Sequence, residues 1–313
     1  MSDAPVTLHE VQAMLGRERL GIDVCEQGRT CFISHVGAVP KLLPGAWIGH
    51  RDTLRAMALA NLHPQQRASL AGAVLVDHGS EFGVGRLQLE TLASGLPFGG
   101  SSLWLQGRSG GVSCLYTWAL AGPARTKTCD WLVVRAQPEW ALDHPPRPLS
   151  AAGLSTLVEL AGSALVVVET VVDARQLADE LVDVIPVTAH ARFYPYLDAC
   201  DAEAPVLIWP SDALDSPTLR GREFGTVVSL AGDEASYAVV SRWAEGRERV
   251  QTAKASCPGR TDRAGLEQFW RDCGRPKVLL TGDAEWAAQG SAWLRGLGAH
   301  VHGQQRATQL GLF

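Results

Sequence analysis

Asp23 and His35 are two residues near the start of the chain whose types could bind a metal ion or transfer a proton. His35 is followed by Val36 to Pro40, a segment that offers no second imidazole, carboxylate or thiolate. Zinc sites use several protein ligands, so this pair does not complete one. The sequence therefore favours a histidine buried in the core over a metal ligand at position 35.

Phosphate binding is a second chemistry that the side chains could support, because guanidinium and imidazole groups donate hydrogen bonds to phosphate oxygens. Acidic residues alternate with arginines in the later part of the chain, and the formal net charge is −5. A solvated surface of mixed charge is therefore favoured over a DNA groove, and local phosphate or DNA contacts stay open. The candidate contacts in this part of the chain are Arg220 and Arg222.

Other patterns that could carry chemistry are incomplete. His300 and His302 would face one side of a strand, but no carboxylate or cysteine stands beside them, so a solvated edge is favoured. Ser101 lacks the G-x-S-x-G pattern of an acyl-transfer elbow. The glycine-rich segments 83–85 and 107–111 lack the lysine of a phosphate-binding loop. Acyl transfer and nucleotide binding are therefore disfavoured.

The elements that must position these residues belong to a globular chain. It has 313 residues, of which 46% are apolar, enough for two domains or for one domain that carries an insertion. The first residues show no basic region followed by an apolar run, and no stretch is long enough to span a bilayer, so a cytoplasmic location is expected. The seven cysteines form no C-x-x-C pair, which disfavours a zinc ribbon and a disulfide framework.

The spacing of apolar residues predicts an α/β chain, and this spacing changes near the middle of the sequence. Short apolar runs between glycine-rich turns predict strands within residues 30–134, with a helix at 53–61. The proline-rich segment 137–150 predicts a domain junction. Beyond it, a helix that Asp173 can cap lies between two apolar runs, which is the β-α-β pattern of a parallel sheet. Later strands are predicted at 163–169, 205–209, 227–229, 237–241 and 277–281, followed by a helix at 284–297.

Several segments, in chain order, resemble the elements of one protein family. They are residues 21–23, 31–35, 47–59, 94–99, 129–133, 205–219 and 262–297. The first two are similar to the strand and the threonine–histidine loop that hold metal in that family, and 94–99 is similar to its glycine–histidine turn. The family is that of the metallo-β-lactamase proteins with a β-CASP insertion, especially the bacterial ligase-associated DNA exonucleases, which are similar to mRNA 3′-end processing factors.

The resemblance implies a fold and a set of boundaries. The expected fold is α/β, a metallo-β-lactamase-like αββα sandwich with an inserted β-CASP-like α/β domain. The first part of the sandwich is expected at residues 1–147, the insertion at 148–250 and the C-terminal part of the sandwich at 251–302. Residues 303–313 are expected to form a flexible tail.

The two-metal site of that family is degenerate in this chain. By resemblance, Arg135 replaces an acidic residue that follows the strand at 129–133. The resemblance also makes Arg135, Arg260 and His190 candidates for phosphate or DNA contact, because the two arginines would face the former site and His190 lies near a histidine that contacts phosphate or metal in that family. Apolar side chains and guanidinium groups do not bind zinc or manganese. The resemblance therefore implies a retained fold with no catalytic residues and no metal cofactor. The former metal site would consist of Asp23, His35, Gly37, Pro40, Leu96, Trp118 and Arg260.

The closing segment Gln309-Leu310-Gly311-Leu312-Phe313 resembles the pentapeptide with which bacterial replication and repair proteins bind the sliding clamp of the replicative DNA polymerase. Its leucines and phenylalanine can fill an apolar groove, while the amide of Gln309 makes polar contacts at the rim. The polar segment 303–308 would act as a tether. The alternative is an apolar tail that packs on its own domain.

The leading hypothesis is a catalytically inactive nuclease-like protein, a noncatalytic component of bacterial DNA repair or replication that the pentapeptide recruits to the sliding clamp. Its folded body would bind a second partner, such as DNA or an active nuclease, ligase or helicase. The enzyme alternative is a divergent metal-dependent DNA exonuclease or hydrolase whose zinc or manganese ligands lie outside the family motifs. A third hypothesis is an interaction protein unrelated to DNA that binds an active paralogue.

Overall fold

The computed structural model describes residues 20–23, 28–39, 43–60, 62–198, 200–230, 234–245, 247 and 250–302. Pro40 and the pentapeptide Gln309 to Phe313 lie outside these residues. The described residues form a mixed α/β protein with two compact units. Unit 1 comprises Met1–Asp143 and Thr261–Phe313, and unit 2 comprises His144–Arg260. Within the described ranges, no helix combines the length and the apolar character that crossing a membrane requires.

Strands and helices are short in both units. In chain order, the described strands are β1 (Leu20–Ile22), β2 (Thr30–Ile33), β3 (Ala46–His50), β4 (Val74–Val76), β5 (Glu81–Val84), β6 (Leu87–Ala93), β7 (Ser101–Gly107), β8 (Ser113–Thr117), β9 (Trp131–Arg135), β10 (Ala164–Val168), β11 (Val187–Ala189), β12 (Val206–Pro210), β13 (Thr226–Ser229), β14 (Gln251–Lys254), β15 (Lys277–Thr281) and β16 (Val301–His302). The described α-helices are α1 (Arg51–Ala58), α2 (Pro64–Leu70), α3 (Pro138–Ala141), α4 (Ala151–Ala161), α5 (Val171–Leu181), α6 (Pro217–Arg220), α7 (Glu234–Glu245), α8 (Arg263–Asp272) and α9 (Ala284–Gly296).

Two sheets form the core of unit 1. One has four parallel strands in the order β1-β2-β3-β4, and the other has seven strands in the order β16-β15-β9-β8-β7-β6-β5. In the second sheet, β5 to β8 pair antiparallel, whereas β8, β9, β15 and β16 pair parallel. Helices α1 and α2 connect β3 to β4 and pack on the first sheet, where the Trp47 indole N–H donates to the Ser69 hydroxyl at 2.9 Å.

The alternation of side chains along β7 explains how the layers of unit 1 pack. Successive side chains of a strand point to opposite faces of its sheet. Leu103 and Leu105 pack with Phe32 and Ile48 of the four-stranded sheet in one buried cluster. Trp104 belongs to the cluster on the other face, which residues of α3, α8 and α9 complete. Unit 1 is therefore layered as helix, sheet, sheet and helix.

Unit 2 is built on five parallel strands in the order β11-β12-β10-β13-β14. Every residue of the central strand β10 is buried, as expected for a parallel strand with both faces covered. Val166 and Val168 belong to a cluster that includes Leu177 of α5. Leu165 and Val167 belong to the cluster on the opposite face, which residues of α6 and α7 complete.

The structure differs from the sequence prediction at two places in unit 2. Residues 237–241, predicted as a strand, lie within α7, where Val240 is fully buried. A short β-branched run fits either element, and packing decides between them. The strand at Gln251–Lys254 pairs with β13, so unit 2 extends to Arg260 and the expected boundary at 250/251 comes one strand too early. The first boundary lies within the proline-rich segment 137–150.

One cysteine departs from the expectation of free thiols, because Cys31 is disulfide-bonded. The spacing of cysteines along the sequence did not reveal this bond, since a disulfide requires proximity in space. Five other described cysteines are not disulfide-bonded: Cys200 is exposed, and Cys114, Cys129, Cys257 and Cys273 are buried.

Replacing Leu177 by alanine should lower the free energy of unfolding by about 2–5 kcal/mol, because the side chain is fully buried and its removal leaves a cavity. Leu160→Ala is the matched control on a neighbouring helix. The Leu160 side chain is 81% exposed, so this change should alter stability by less than about 0.5 kcal/mol. Urea unfolding measures both variants, and equal losses would contradict the packing described for unit 2.

Candidate functional site

The carboxyl ends of β1 and β2 hold the polar centre of unit 1. Asp23 follows β1, while Ser34 and His35 follow β2, so parallel pairing brings all three to one edge of the sheet. The Asp23 carboxylate accepts hydrogen bonds from the Ser34 amide (2.7 Å), the Ser34 hydroxyl (2.6 Å) and the Tyr116 hydroxyl (2.8 Å). Tyr116 lies on β8, so its hydrogen bond joins the two sheets of unit 1.

Burial changes the acidity of this centre. It raises the pKa of Asp23 from 3.8 to about 6, and the hydrogen bonds from Ser34 and Tyr116 oppose the rise. Burial also raises the pKa of Tyr116 well above its usual value, and the negative charge of Asp23 adds to this effect. The Tyr116 hydroxyl is therefore a neutral donor at physiological pH, whereas Asp23 titrates just below neutral pH.

His35, Trp118 and Arg135 form a stacked group beside Asp23. The Nδ1 atom of His35 lies 3.0 Å from the Ser34 hydroxyl oxygen and 3.9 Å from an Asp23 carboxylate oxygen. The rings of His35 and Trp118 stack with their centroids 4.5 Å apart. The guanidinium carbon of Arg135 lies 4.1 Å from the centre of a Trp118 ring, which is a cation–π distance. The structure thus brings together four residues that the sequence resemblance singles out.

Two glycines lie in close contact with this group. Gly282 follows β15 with a φ of +95°, and a Cβ atom there would lie 2.7 Å from Cγ of Arg135. A Cβ atom at Gly37 would lie 3.3 Å from two atoms of the His35 imidazole. A larger side chain at either position would press on the stacked group.

Leu96 is buried in the turn between β6 and β7. The turn is fixed next to the polar centre, because the Ser101 amide donates to the Ser34 carbonyl at 2.8 Å. Gly95 has a φ of +82°, and a Cβ atom there would lie 1.3 Å from the carbonyl oxygen of Ala121, so only glycine fits. An apolar side chain therefore occupies the turn in which the resemblance expects a histidine.

A histidine pair, which the sequence interpretation missed, lies at the same end of the four-stranded sheet. His50 ends β3 and His78 follows β4, and their rings stack with centroids 4.2 Å apart. The Nε2 atom of His78 lies 3.1 Å from the Ser101 hydroxyl, which donates to the Gly99 carbonyl at 2.9 Å. Burial lowers the pKa of His78, and the neighbouring His50 lowers it further. The sequence signal that could have identified this pair is its position, since His50 ends one strand and His78 follows another strand of the same parallel sheet.

Arg260 lies in unit 2, where its guanidinium forms a salt bridge with Asp173 at 2.5 Å between largely buried side chains. Asp173 is the third residue of α5, and its carboxylate accepts a hydrogen bond from the hydroxyl of Thr170 at 2.6 Å. Thr170, rather than Asp173, caps the helix. Arg260 therefore has a structural role at the start of α5, which the resemblance did not imply.

His190 follows β11 in unit 2 and meets the Trp209 ring edge-on, with centroids 4.4 Å apart. Its Nδ1 atom accepts a hydrogen bond from the amide of Arg192, whose guanidinium pairs with Asp212 at 2.7 and 3.0 Å. Burial lowers the pKa of His190, and the charge of Arg192 adds to this shift. The neutral imidazole that these effects favour attracts phosphate less than an imidazolium would.

Arg220 and Arg222 lie on the surface of unit 2, at the end of α6 and in the loop that follows it. Both line a surface groove together with Arg247. Of the candidate phosphate contacts, these two are the ones whose side chains face solvent, since Arg260 is paired and His190 is packed on Trp209.

The side chains around Asp23 do not fit the two metal ions of the resembling family. Three hydrogen bonds already occupy most of the acceptor positions of the Asp23 carboxylate, which leaves little room for two metal ions. Trp118 has no lone pair to offer, and Arg135 brings a cation to its ring. Over the described part of the chain, no three His, Cys, Asp or Glu side chains form a ligand group. The geometry is that of a hydrogen-bonded carboxylate beside a cationic stack.

Comparison with known proteins informs the fold alone. No protein-family model matches the chain, and no curated protein matches it. Among solved structures, the chain is similar to a protein of unknown function from Enterococcus faecalis V583, with a TM-score of 0.52 and 10% sequence identity. The similarity covers 82% of this chain and 76% of that one. At this identity, likeness of fold carries no information about activity.

The stability of the chain should depend on the titration of Asp23. Because its folded pKa is raised above 3.8 to about 6, the folded state holds the proton more tightly than the unfolded state. The free energy of unfolding should therefore decrease as pH rises through this interval, by about 3 kcal/mol in total, and stay reduced above it. Asp23→Asn should remove this dependence.

Urea unfolding over a pH series measures the difference between the chain and the Asp23→Asn variant. Asp52→Asn, which removes an exposed carboxylate at the start of α1, is the control for the loss of one charge. If the curves for the chain and Asp23→Asn run parallel through this pH interval, the assigned environment of Asp23 is wrong.

Proposed function

We propose that the chain is a catalytically inactive relative of the metallo-β-lactamase/β-CASP nucleases that serves as a noncatalytic component of bacterial DNA repair or replication. The pentapeptide Gln309 to Phe313 recruits it to the sliding clamp, and the folded body holds a second partner. Such a protein acts as a tether. Each binding site can be weak, because linkage raises the effective concentration of the second partner.

The layering of unit 1 supports the family assignment. An αββα sandwich has the sequence of layers helix, sheet, sheet and helix, which agrees with the packing on both faces of the seven-stranded sheet. Unit 2 interrupts the chain of unit 1 between α3 and α8, as an inserted domain would. Its parallel sheet, flanked by helices, agrees with an α/β insertion of the β-CASP type.

The hydrogen-bonded state of Asp23 is the observation that best supports the proposed absence of catalysis. Hydroxyl and amide donors from Ser34 and Tyr116 use the oxygens that a metal ion would need. The Arg135 guanidinium beside Trp118 further opposes the approach of a cation.

Purified full-length chain should carry no stoichiometric zinc or manganese and should not hydrolyse single-stranded DNA in a chelator-sensitive manner. Elemental analysis and a fluorescent nuclease assay measure these properties. His35→Ala is the control, because hydrolysis by a contaminating nuclease would persist in it. Stoichiometric metal, together with hydrolysis that both chelator and His35→Ala abolish, would favour the divergent metal-dependent exonuclease over the proposed pseudo-enzyme.

Deleting Gln309 to Phe313 should weaken binding to purified sliding clamp by at least about tenfold, because the apolar anchors of the peptide are removed. The double variant Leu312→Ala/Phe313→Ala should have a similar effect, whereas Thr308→Ala, just outside the peptide, should bind normally. Calorimetry or a pull-down with purified clamp measures the affinity. Undiminished binding after the deletion refutes recruitment through this peptide.

A further inference from the structure

Unit 2 carries a surface groove near the amino-terminal ends of β10, β13 and β14. The groove has a volume of about 1440 Å³. Ligands of parallel α/β sheets bind at the opposite, carboxyl ends of the strands. The groove is therefore separate from the usual ligand position of such a sheet. We call it the basic groove and define it by the lining residues Leu157, Leu160, Arg220, Arg222, Glu223 and Arg247.

Arginines give the basic groove its charge. The side chains of Arg220 and Arg222 are exposed, and their guanidinium groups have no ion-pair partner within the described residues. Arg247 is held in place, because its guanidinium donates to the carbonyl of Arg222 at 2.7 Å and stacks on Trp243 at 4.0 Å. Glu223 is the acidic residue of the described lining. The lining is therefore locally positive on a chain whose formal net charge is −5.

Leucines at the end of α4 add apolar surface to the same groove. Leu160 is 81% exposed, more than any other large hydrophobic side chain of the described residues. Leu157, one helical turn earlier, is partly buried and packs against the core of unit 2. A partner that covers Leu160 would remove this apolar surface from water, which favours binding.

The size and composition of the lining favour a peptide over a small molecule or a nucleic acid. Small-molecule pockets typically measure about 300–1,000 Å³, which is less than this groove. Single-stranded nucleic acids stack their bases on open aromatic faces. Phe224, the aromatic residue of the lining, is only 8% exposed. A phosphate backbone would leave Leu160 without an apolar partner.

We propose that the basic groove is a docking site for an acidic segment of a partner protein that carries apolar side chains between its carboxylates. Carboxylates accept charge-assisted, bidentate hydrogen bonds from Arg220 and Arg222. An apolar side chain of the same segment covers Leu160. The groove thereby supplies the second interaction of the proposed tether, but it does not depend on the clamp peptide. A chain without Gln309 to Phe313 retains the groove, so either the clamp-peptide proposal or the groove proposal can be refuted without affecting the other.

The test uses full-length chain and a short labelled peptide of aspartate, glutamate and leucine, with fluorescence anisotropy as the readout. Arg220→Glu/Arg222→Glu should weaken binding by at least about tenfold, because each change removes a charge-assisted contact and repels the peptide. Leu160→Ala should weaken it by about fivefold through lost apolar contact. Arg242→Glu, an exposed arginine of α7 outside the lining, should bind normally.

Control ligands distinguish the proposed acidic and apolar segment from a purely acidic segment and from nucleic acid. A peptide of aspartate and serine should bind more weakly than the leucine-containing peptide, and a thymidine oligonucleotide or a DNA duplex should not compete at equal concentration. Urea unfolding should show unchanged stability for all variants, since the altered side chains are exposed. Equal binding by the double variant and Arg242→Glu overturns the site. Equal affinity for both peptides, or stronger competition by nucleic acid, overturns the assigned partner.

Discussion

The apolar contact between the two sheets of unit 1 is the interaction on which the rest of that unit depends. Phe32 and Ile48 of one sheet pack with Leu103 and Leu105 of the other, and all four are buried. Because side chains alternate along a strand, a register shift by one residue in β7 would turn this face toward α3, α8 and α9. The contact therefore fixes the carboxyl ends of β1 and β2 relative to β8, where Tyr116 reaches Asp23.

Asp23 adds a polar interaction to the apolar contact between the two sheets of unit 1. A buried carboxylate must receive hydrogen bonds or a counter-charge, since it otherwise loses its hydration without compensation. Ser34 and Tyr116 supply the donors, and the His35–Trp118–Arg135 stack lies beside them. Neutral donors that satisfy Asp23 remove the need for a cation at this position.

The distribution of charge distinguishes the arginines of unit 2 from one another. The chain is acidic overall, yet Arg220, Arg222 and Arg247 are concentrated in one groove of unit 2. Arg260 also lies in unit 2 but is neutralised by Asp173. The exposed arginines and the paired arginine of unit 2 therefore differ in burial and in ion pairing. The proposed clamp peptide and the proposed docking of an acidic segment in the basic groove would together make the protein a connector between two partners.

Local patterns determined what the sequence could establish by itself. The β-branched run at 163–169 predicts β10, and the apolar period with a glycine stop predicts the helix observed at Ala284–Gly296, because burial patterns repeat along adjacent residues. The resemblance also singled out Asp23, His35, Trp118 and Arg135, which the structure brings together.

Tertiary structure alone decided which groups donate hydrogen bonds to Asp23 and which distant side chains come into contact. Tyr116 lies 93 residues from Asp23, and the His50–His78 stack, the Arg260–Asp173 pair and the helix at 237–241 likewise depend on which strands and helices pack side by side. Such contacts have no local signature, since hydrogen bonds and packing act between groups that folding, rather than sequence order, makes neighbours.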